Sequence, residues 1–146
     1  MIGCKTTKNK VSKIEINEVV FQTISKGALF GDGIEGISES NLIVLNGKAW
    51  NSLQNNMNKE NSVTNTFKEI NIDFSNEMIF CVFDKVRSSG GFSVEIENIF
   101  IENDTTKVNY KIIKPAQGQM TSSVVTQPYH IVKMQKNDGV LVFIKK

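Results

Sequence analysis

The stretch FSVEIENIFIENDTTKVNYKIIKP, Phe92 to Pro115, decides the reading of the fold. Its first half alternates apolar Phe92, Val94 and Ile96 with polar Ser93, Glu95 and Glu97, the period-two pattern of a half-buried strand. Phe100 continues that face, while Ile99 and Ile101 fall on the other, and the break around Asn98 predicts a bulge. The second half repeats the alternation with Val108, Tyr110 and Ile112 against lysines and Asn109. Between them, NDTT supplies turn residues, so the two strands are expected to form an antiparallel hairpin.

Upstream lies RSSGG, Arg87 to Gly91. Two serines and two glycines could form a loop that holds a phosphate, but such loops point successive backbone N–H groups and a helix N-terminus at the anion. Here a strand pattern follows, and the Gly-Lys-Ser/Thr ending of a P-loop is missing. The glycines read instead as positive-φ residues of a hairpin turn joining EMIFCVFDKV to FSVEIENI. Met78 to Phe83 is apolar without interruption, which predicts a strand covered on both faces, with a helix on one of them.

That helix is expected in KAWNSLQNNMNKEN, where Ala49, Trp50, Leu53 and Met57 share one face and Trp50 is the main anchor into the core. Before it, EVVFQTISKG reads as a strand that stops at Gly27, and NLIVLNG, 41–47, as a short apolar strand. Residues 27–40, with glycines at 27, 31, 33 and 36, read as a long loop. Downstream, 115–128 is a second irregular stretch of small polar residues. YHIVKMQ and VLVFIKK follow as strands, and the Asp-Gly of KNDG between them is a hairpin signal. Consecutive strands with short turns give an α+β fold class, mainly an antiparallel β-sheet with one amphipathic helix packed on a face.

A chain of 146 residues with 40 % hydrophobic and 22 % charged content is long enough for a sizeable core and typical of a folded domain. Its net charge of +2 is far from the concentrated positive field that nucleic-acid backbones demand, so nucleic acid is not an expected partner. Arg87 is the only arginine, which leaves little scope for bidentate guanidinium clamps on an anionic ligand.

The residue types that carry chemistry are sparse. His130 is the only histidine, it lies in a strand pattern with Val132 and Met134, and no Gly-x-Ser-x-Gly elbow accompanies it. It reads as structural, and no catalytic residues are assigned. One histidine and two distant cysteines give no paired metal-ligand spacing, and Asp32 and Asp104 lack the ordered oxygen ligands of an EF-hand. Neither a metal nor another cofactor is expected. Glu95 and Glu97 could face one another as paired carboxylates, but they read as a solvated strand face. Cys81, inside MIFCVF, reads as a small buried hydrophobe.

Cys4 is different, because it precedes the polar stretch KTTKNKVSK. Ile2-Gly3-Cys4 before such a tether resembles the end of a bacterial lipoprotein signal, which implies acylation at Cys4. Residues 1–17 accordingly read as an N-terminal tether, whose last few residues could begin a strand, and 18–146 as a single globular domain.

Taken together, IDFSNEMIFCVF, SSGGFSVEIENI, VNYKIIKP and VVTQPYHIVKM resemble the C-terminal domain of the PrcB family over residues 72–144. In that family a Ser-Gly-Gly-aromatic segment leads a strand and a Thr-x-Pro segment precedes the last hairpin. Ser89, Gly90, Gly91 and Phe92 match the first, and Thr126, Pro128 and Tyr129 match the second. The resemblance implies a non-enzymatic lipoprotein of the bacterial cell envelope, lipid-anchored and periplasmic or outer-membrane associated, which binds or stabilises a protein partner such as an envelope protease complex. Membrane contact would come only through the N-terminal lipid. The alternative is a small ligand-binding module, with 27–40 and 115–128 forming a rim lined by Phe30, Met120 or Tyr129.

Overall fold

A computed structural model describes residues 15–146. The tether's Cys4 lies outside the described residues. Ten elements follow in order: β1 (Ile16–Glu18), β2 (Gln22–Phe30), β3 (Ser40–Val44), α1 (Gly47–Met57), a 3-10 turn (Val63–Thr66), β4 (Glu77–Phe83), β5 (Ser93–Glu102), β6 (Thr105–Ile113), β7 (Thr126–Gln135) and β8 (Val140–Lys145). They build two four-stranded sheets, ordered β1-β5-β6-β8 and β2-β7-β4-β3. The sheets pack face to face, and α1 covers the outer face of the second, so the α+β class holds in a three-layer form.

The uninterrupted apolar run of β4 explains that layering. Met78, Phe80 and Val82 point between the sheets, where they meet Val94, Ile96, Ile99, Val108, Val132 and Met134. Ile79, Cys81 and Phe83 point the other way, into a second core with Trp50, Leu53, Met57 and Phe67. Each large apolar side chain removed from water in this way contributes about 1.5–3 kcal/mol. Cys81 is fully buried, and burial pushes its thiol pKa far up, so it behaves as the small hydrophobe expected.

Helix α1 begins where Asn46 Oδ1 accepts the Ala49 N–H at 2.8 Å, satisfying one of the free donors of the first turn. Its buried stripe is Trp50, Leu53, Gln54 and Met57; Ala49, expected on that stripe, is exposed. Trp50 stacks on Phe67 with ring centroids 5.7 Å apart. Its indole N–H donates to the Ile70 carbonyl at 2.8 Å, so the buried ring leaves no polar atom unpaired.

The β5–β6 hairpin forms as the alternation predicts, with Glu102 opposite Thr105 and Asn103 in the left-handed region at φ 56°. The register shifts between Ile96 and Asn98. That bulge changes the phase of the strand: Ile99 joins Val94 and Ile96 in the core, and Phe100, expected there, is only half-buried. Strand β1 takes in Ile16 and Asn17 at the end of the expected tether and pairs with the far end of β5.

Three local expectations give way. Strands β4 and β5 are not partners: β4 lies between β3 and β7 in one sheet, and β5 lies between β1 and β6 in the other. RSSGG therefore carries the chain from one sheet to the other. Strand β2 continues past Gly27 to Phe30, so the first loop starts at Gly31. The expected hairpin at KNDG is likewise absent, because β8 crosses over and pairs parallel with β6, Val140 opposite Thr105. Gly139 is required there for closeness: a Cβ at this position would overlap the backbone carbonyl of Asp104. The Asp-Gly pair has the composition of a tight turn, but its glycine makes room for a crossing.

Gly139→Ala should therefore destabilise the fold by at least about 1 kcal/mol, since the obstacle is backbone that cannot rotate away. A Tm equal to that of the unsubstituted chain would contradict this.

Candidate functional site

The two segments singled out in the sequence meet at one end of the molecule. Arg87 and Thr126 form an antiparallel bridge, with Arg87 N–H donating to the Thr126 carbonyl at 2.7 Å and Thr126 N–H returning the bond at 2.9 Å. The Thr126 hydroxyl donates to the Ser89 carbonyl at 3.1 Å, and the Gly90 N–H donates to the Ser122 carbonyl at 3.1 Å. Gly91 has φ +91°, and a Cβ there would press on Thr121 Cγ2 at 2.8 Å. The glycine pair thus lets the crossing segment lie directly against 121–126. The positive φ expected of both is found at Gly91 only.

Arg87 is committed to structure. Its Nε and Nη2 donate to the two carboxylate oxygens of Asp84 at 2.7 and 3.0 Å. The Phe92 ring lies under the guanidinium at 4.4 Å, adding a cation–π contact. The Asp84 side chain is fully buried, so this bidentate pair answers a charge that could not stand alone there.

Pro128 explains the neighbouring contacts. Its carbonyl accepts the Asp84 N–H at 2.9 Å, in the geometry of a continuing ladder. Proline has no N–H to return the bond. The side chain of Gln127 takes its place, donating through Nε2 to the Asp84 carbonyl at 3.1 Å and to the Ile37 carbonyl at 2.7 Å. Strand β4 ends at Phe83, one residue before the ladder would need that missing donor. Tyr129 is buried beside Phe83, and its hydroxyl lies 3.0 Å from Ser25 Oγ.

Above this frame several apolar side chains remain in solvent: Phe30 at 54 % exposure, Ile34 at 57 %, Val124 at 48 % and Met120 at 95 %. Phe30 stands opposite Thr126, Gly31 N–H donates to the Val125 carbonyl at 3.2 Å, and exposed Val86 lies so near Gly33 that a Cβ there would sit 3.0 Å from its Cγ2. The result is an apolar rim on a hydrogen-bonded base. Phe30 and Met120 are the rim residues expected from the sequence; Ile34, Val86 and Val124 carry no periodic signal because they lie in irregular backbone.

Phe30 and Tyr129 also border a shallow groove of about 470 Å³. Its opposite wall is Asn61 to Thr66, and Met120 is not part of it. The rim formed jointly by 27–40 and 115–128 therefore does not enclose the groove in the way expected.

His130 links the two sheets. Its Nδ1 accepts the Ile96 N–H at 2.8 Å, beside the β5 bulge, and in the neutral ring the remaining N–H at Nε2 then donates to Thr23 Oγ1 at 2.9 Å. In this tautomer neither nitrogen can take a proton from the Thr23 hydroxyl, in keeping with the structural role expected. Burial, with a smaller push from the Lys26 ammonium and an opposing pull from Glu95, lowers the imidazole pKa to about 4. The two glutamates considered as a pair are occupied separately, Glu95 by Lys26 and Glu97 by Lys111 at 2.8 Å. Among the described residues no cluster of His, Cys, Asp or Glu has the arrangement of a metal site, and no helix is long and apolar enough to cross a membrane.

Comparison with known proteins agrees with the likeness read from the residues. Residues 78–135 match the family model described as PrcB C-terminal. The match spans nearly all of β4, all of β5, β6 and β7, and both segments of the junction. No curated protein and no solved structure matches the chain.

Two outcomes test this frame. Arg87→Ala should cost about 3–5 kcal/mol in urea unfolding, because it leaves the Asp84 carboxylate buried without a partner, and Asp84→Asn in that background should recover part of the loss. For His130, folding favours the neutral ring. Its contribution is complete above the unfolded pKa near 6.5 and declines as the pH falls towards about 4, a loss of roughly 3 kcal/mol. His130→Asn, whose Oδ1 can accept the Ile96 N–H, should flatten that part of the stability profile.

Proposed function

We propose that this chain is a non-enzymatic cell-envelope lipoprotein, acylated at Cys4, that binds or stabilises a partner protein such as a surface protease complex. The observation that carries the reading is the apolar rim of Phe30, Ile34, Val86 and Val124. It stands on the junction formed by the two segments inside the PrcB C-terminal match. Exposed apolar side chains gathered at one place, on a base held by buried hydrogen bonds and an ion pair, are what a protein–protein contact uses.

Ser89, Gly90, Gly91, Phe92, Thr126, Pro128 and Tyr129 serve this surface by shaping it. Their contacts run to one another and to Arg87, Ser122, Thr121, Asp84, Phe83 and Ser25, while the side chains free to meet a partner belong to the neighbouring loops. In a partner complex the motif residues would therefore be the scaffold and Phe30 with Val124 the anchors. The commitment of both His130 ring nitrogens supports the non-enzymatic part of the reading.

The test is capture from envelope extracts of the native host, with the acylated full-length protein as bait and mass spectrometry of Cys4 to verify the diacyl or triacyl addition. A specific partner should be retained by the unsubstituted chain and lost by Phe30→Asp/Val124→Asp, with the Tm of that variant unchanged. Repeated capture of no specific protein, or equal capture by both baits, would count against the proposal.

A further inference from the structure

Among the described residues, strand β8 ends its sheet with one side open. A free edge normally carries some obstacle to further pairing: a proline, a bulge, or inward charge. Strand β8 reads VLVFIK, its register against β6 is unbroken, and its only charge is Lys145 at the end. Leu141 and Phe143 turn inward, where Phe143 meets Phe80 edge-on at 5.7 Å. Val140, Val142 and Ile144 turn outward, with Val140 at 61 % and Val142 at 38 % exposure.

The backbone has a definite phase. Val140 N–H donates to the Asp104 carbonyl and Lys146 N–H to the Tyr110 carbonyl, both in β6's direction. By strand alternation, Leu141, Phe143 and Lys145 direct their N–H and C=O groups away from β6, where no described strand receives them.

We propose that this edge pairs with the same edge of a second copy, antiparallel about a twofold axis, joining two four-stranded sheets into one of eight. The amides directed away from β6 must lie opposite one another, and under a twofold only even-sum registers, in which one residue faces its own counterpart, allow this. Val142 opposite Val142 meets both conditions. It pairs Leu141 with Phe143 through backbone hydrogen bonds and sets Val140 against Ile144 on the outer face, making one apolar cluster from both copies. The same register places Lys146 opposite Asp138, so the strand ends are complementary in charge. A second copy fits better than an unrelated strand because each of these matches arises from the edge meeting itself. The edge shares no residue with the apolar rim, so this inference stands or falls independently of the proposed function.

The contact is short, so association should be reversible and dependent on concentration. Sedimentation velocity of the full chain should show the mass rising from monomer to dimer across a concentration series. Val142→Lys and Val142→Glu should each remain monomeric with an unchanged Tm, and an equimolar mixture of the two should recover the dimer. Hydrogen exchange gives a reading independent of substitution: the amides of Leu141, Phe143 and Lys145 should be protected only at high concentration. A wild-type chain that stays monomeric throughout, a Val142→Lys chain that dimerises like wild type, a mixture of folded variants that does not associate, or unprotected amides in the concentrated sample would each overturn the proposal.

Discussion

Strands β4 and β7 must be covered on both faces, and the rest of the molecule is arranged to do so. Met78 to Phe83 offers no polar position that could face water, and β7 beside it is buried from Thr126 to Met134. One sheet alone would leave one face of that pair wet. The β5–β6 hairpin closes one side and α1 closes the other, with Trp50 and Phe67 stacked over the second. Removing either layer would return large apolar surfaces to solvent, which is why a predominantly antiparallel protein carries a single well-anchored helix.

Polar residues of β7 enter this interior with defined partners, although the Oε1 of Gln127 has none. His130 accepts a backbone N–H from the opposite sheet. Lys133 is paired with Glu77 at 3.0 Å and with Glu69. Gln127 supplies the donor that Pro128 lacks. These contacts are directional, whereas apolar packing is not, so they fix how the two sheets and the crossing segment sit against one another. The junction beneath the exposed rim inherits its shape from them.

The layers were legible in the sequence where periodicity was strong. The β5–β6 hairpin, the doubly covered β4 and the face of α1 containing Trp50, Leu53 and Met57 all follow from spacing. Which strands lie side by side was not legible, because local turn chemistry does not specify whether a chain pairs back or crosses to another layer. RSSGG and KNDG both have the composition of hairpin tips and both are crossings. At Gly139 the reason is an approach to the Asp104 carbonyl, a residue 35 positions earlier in the chain, and nothing near Gly139 announces it. The candidate site shows the same division. The two motif segments were recognisable, but their contact through Arg87 and Thr126 is a property of the assembled fold, as is the rim of isolated apolar residues above it.

The position of β7 also sets an order of events. It lies between β2 and β4, pairing Gln22 with Lys133 on one side and Phe83 with Tyr129 on the other. Both neighbours are synthesised long before it. As the chain is made, β3 and β4 can pair locally while β2 waits, and the second sheet remains two fragments with a gap at its centre. Such distant pairings are slow to close. The most apolar strand of the molecule, β4, thus spends its early lifetime with an open edge, and the central strand of the mature sheet is also the one that completes it.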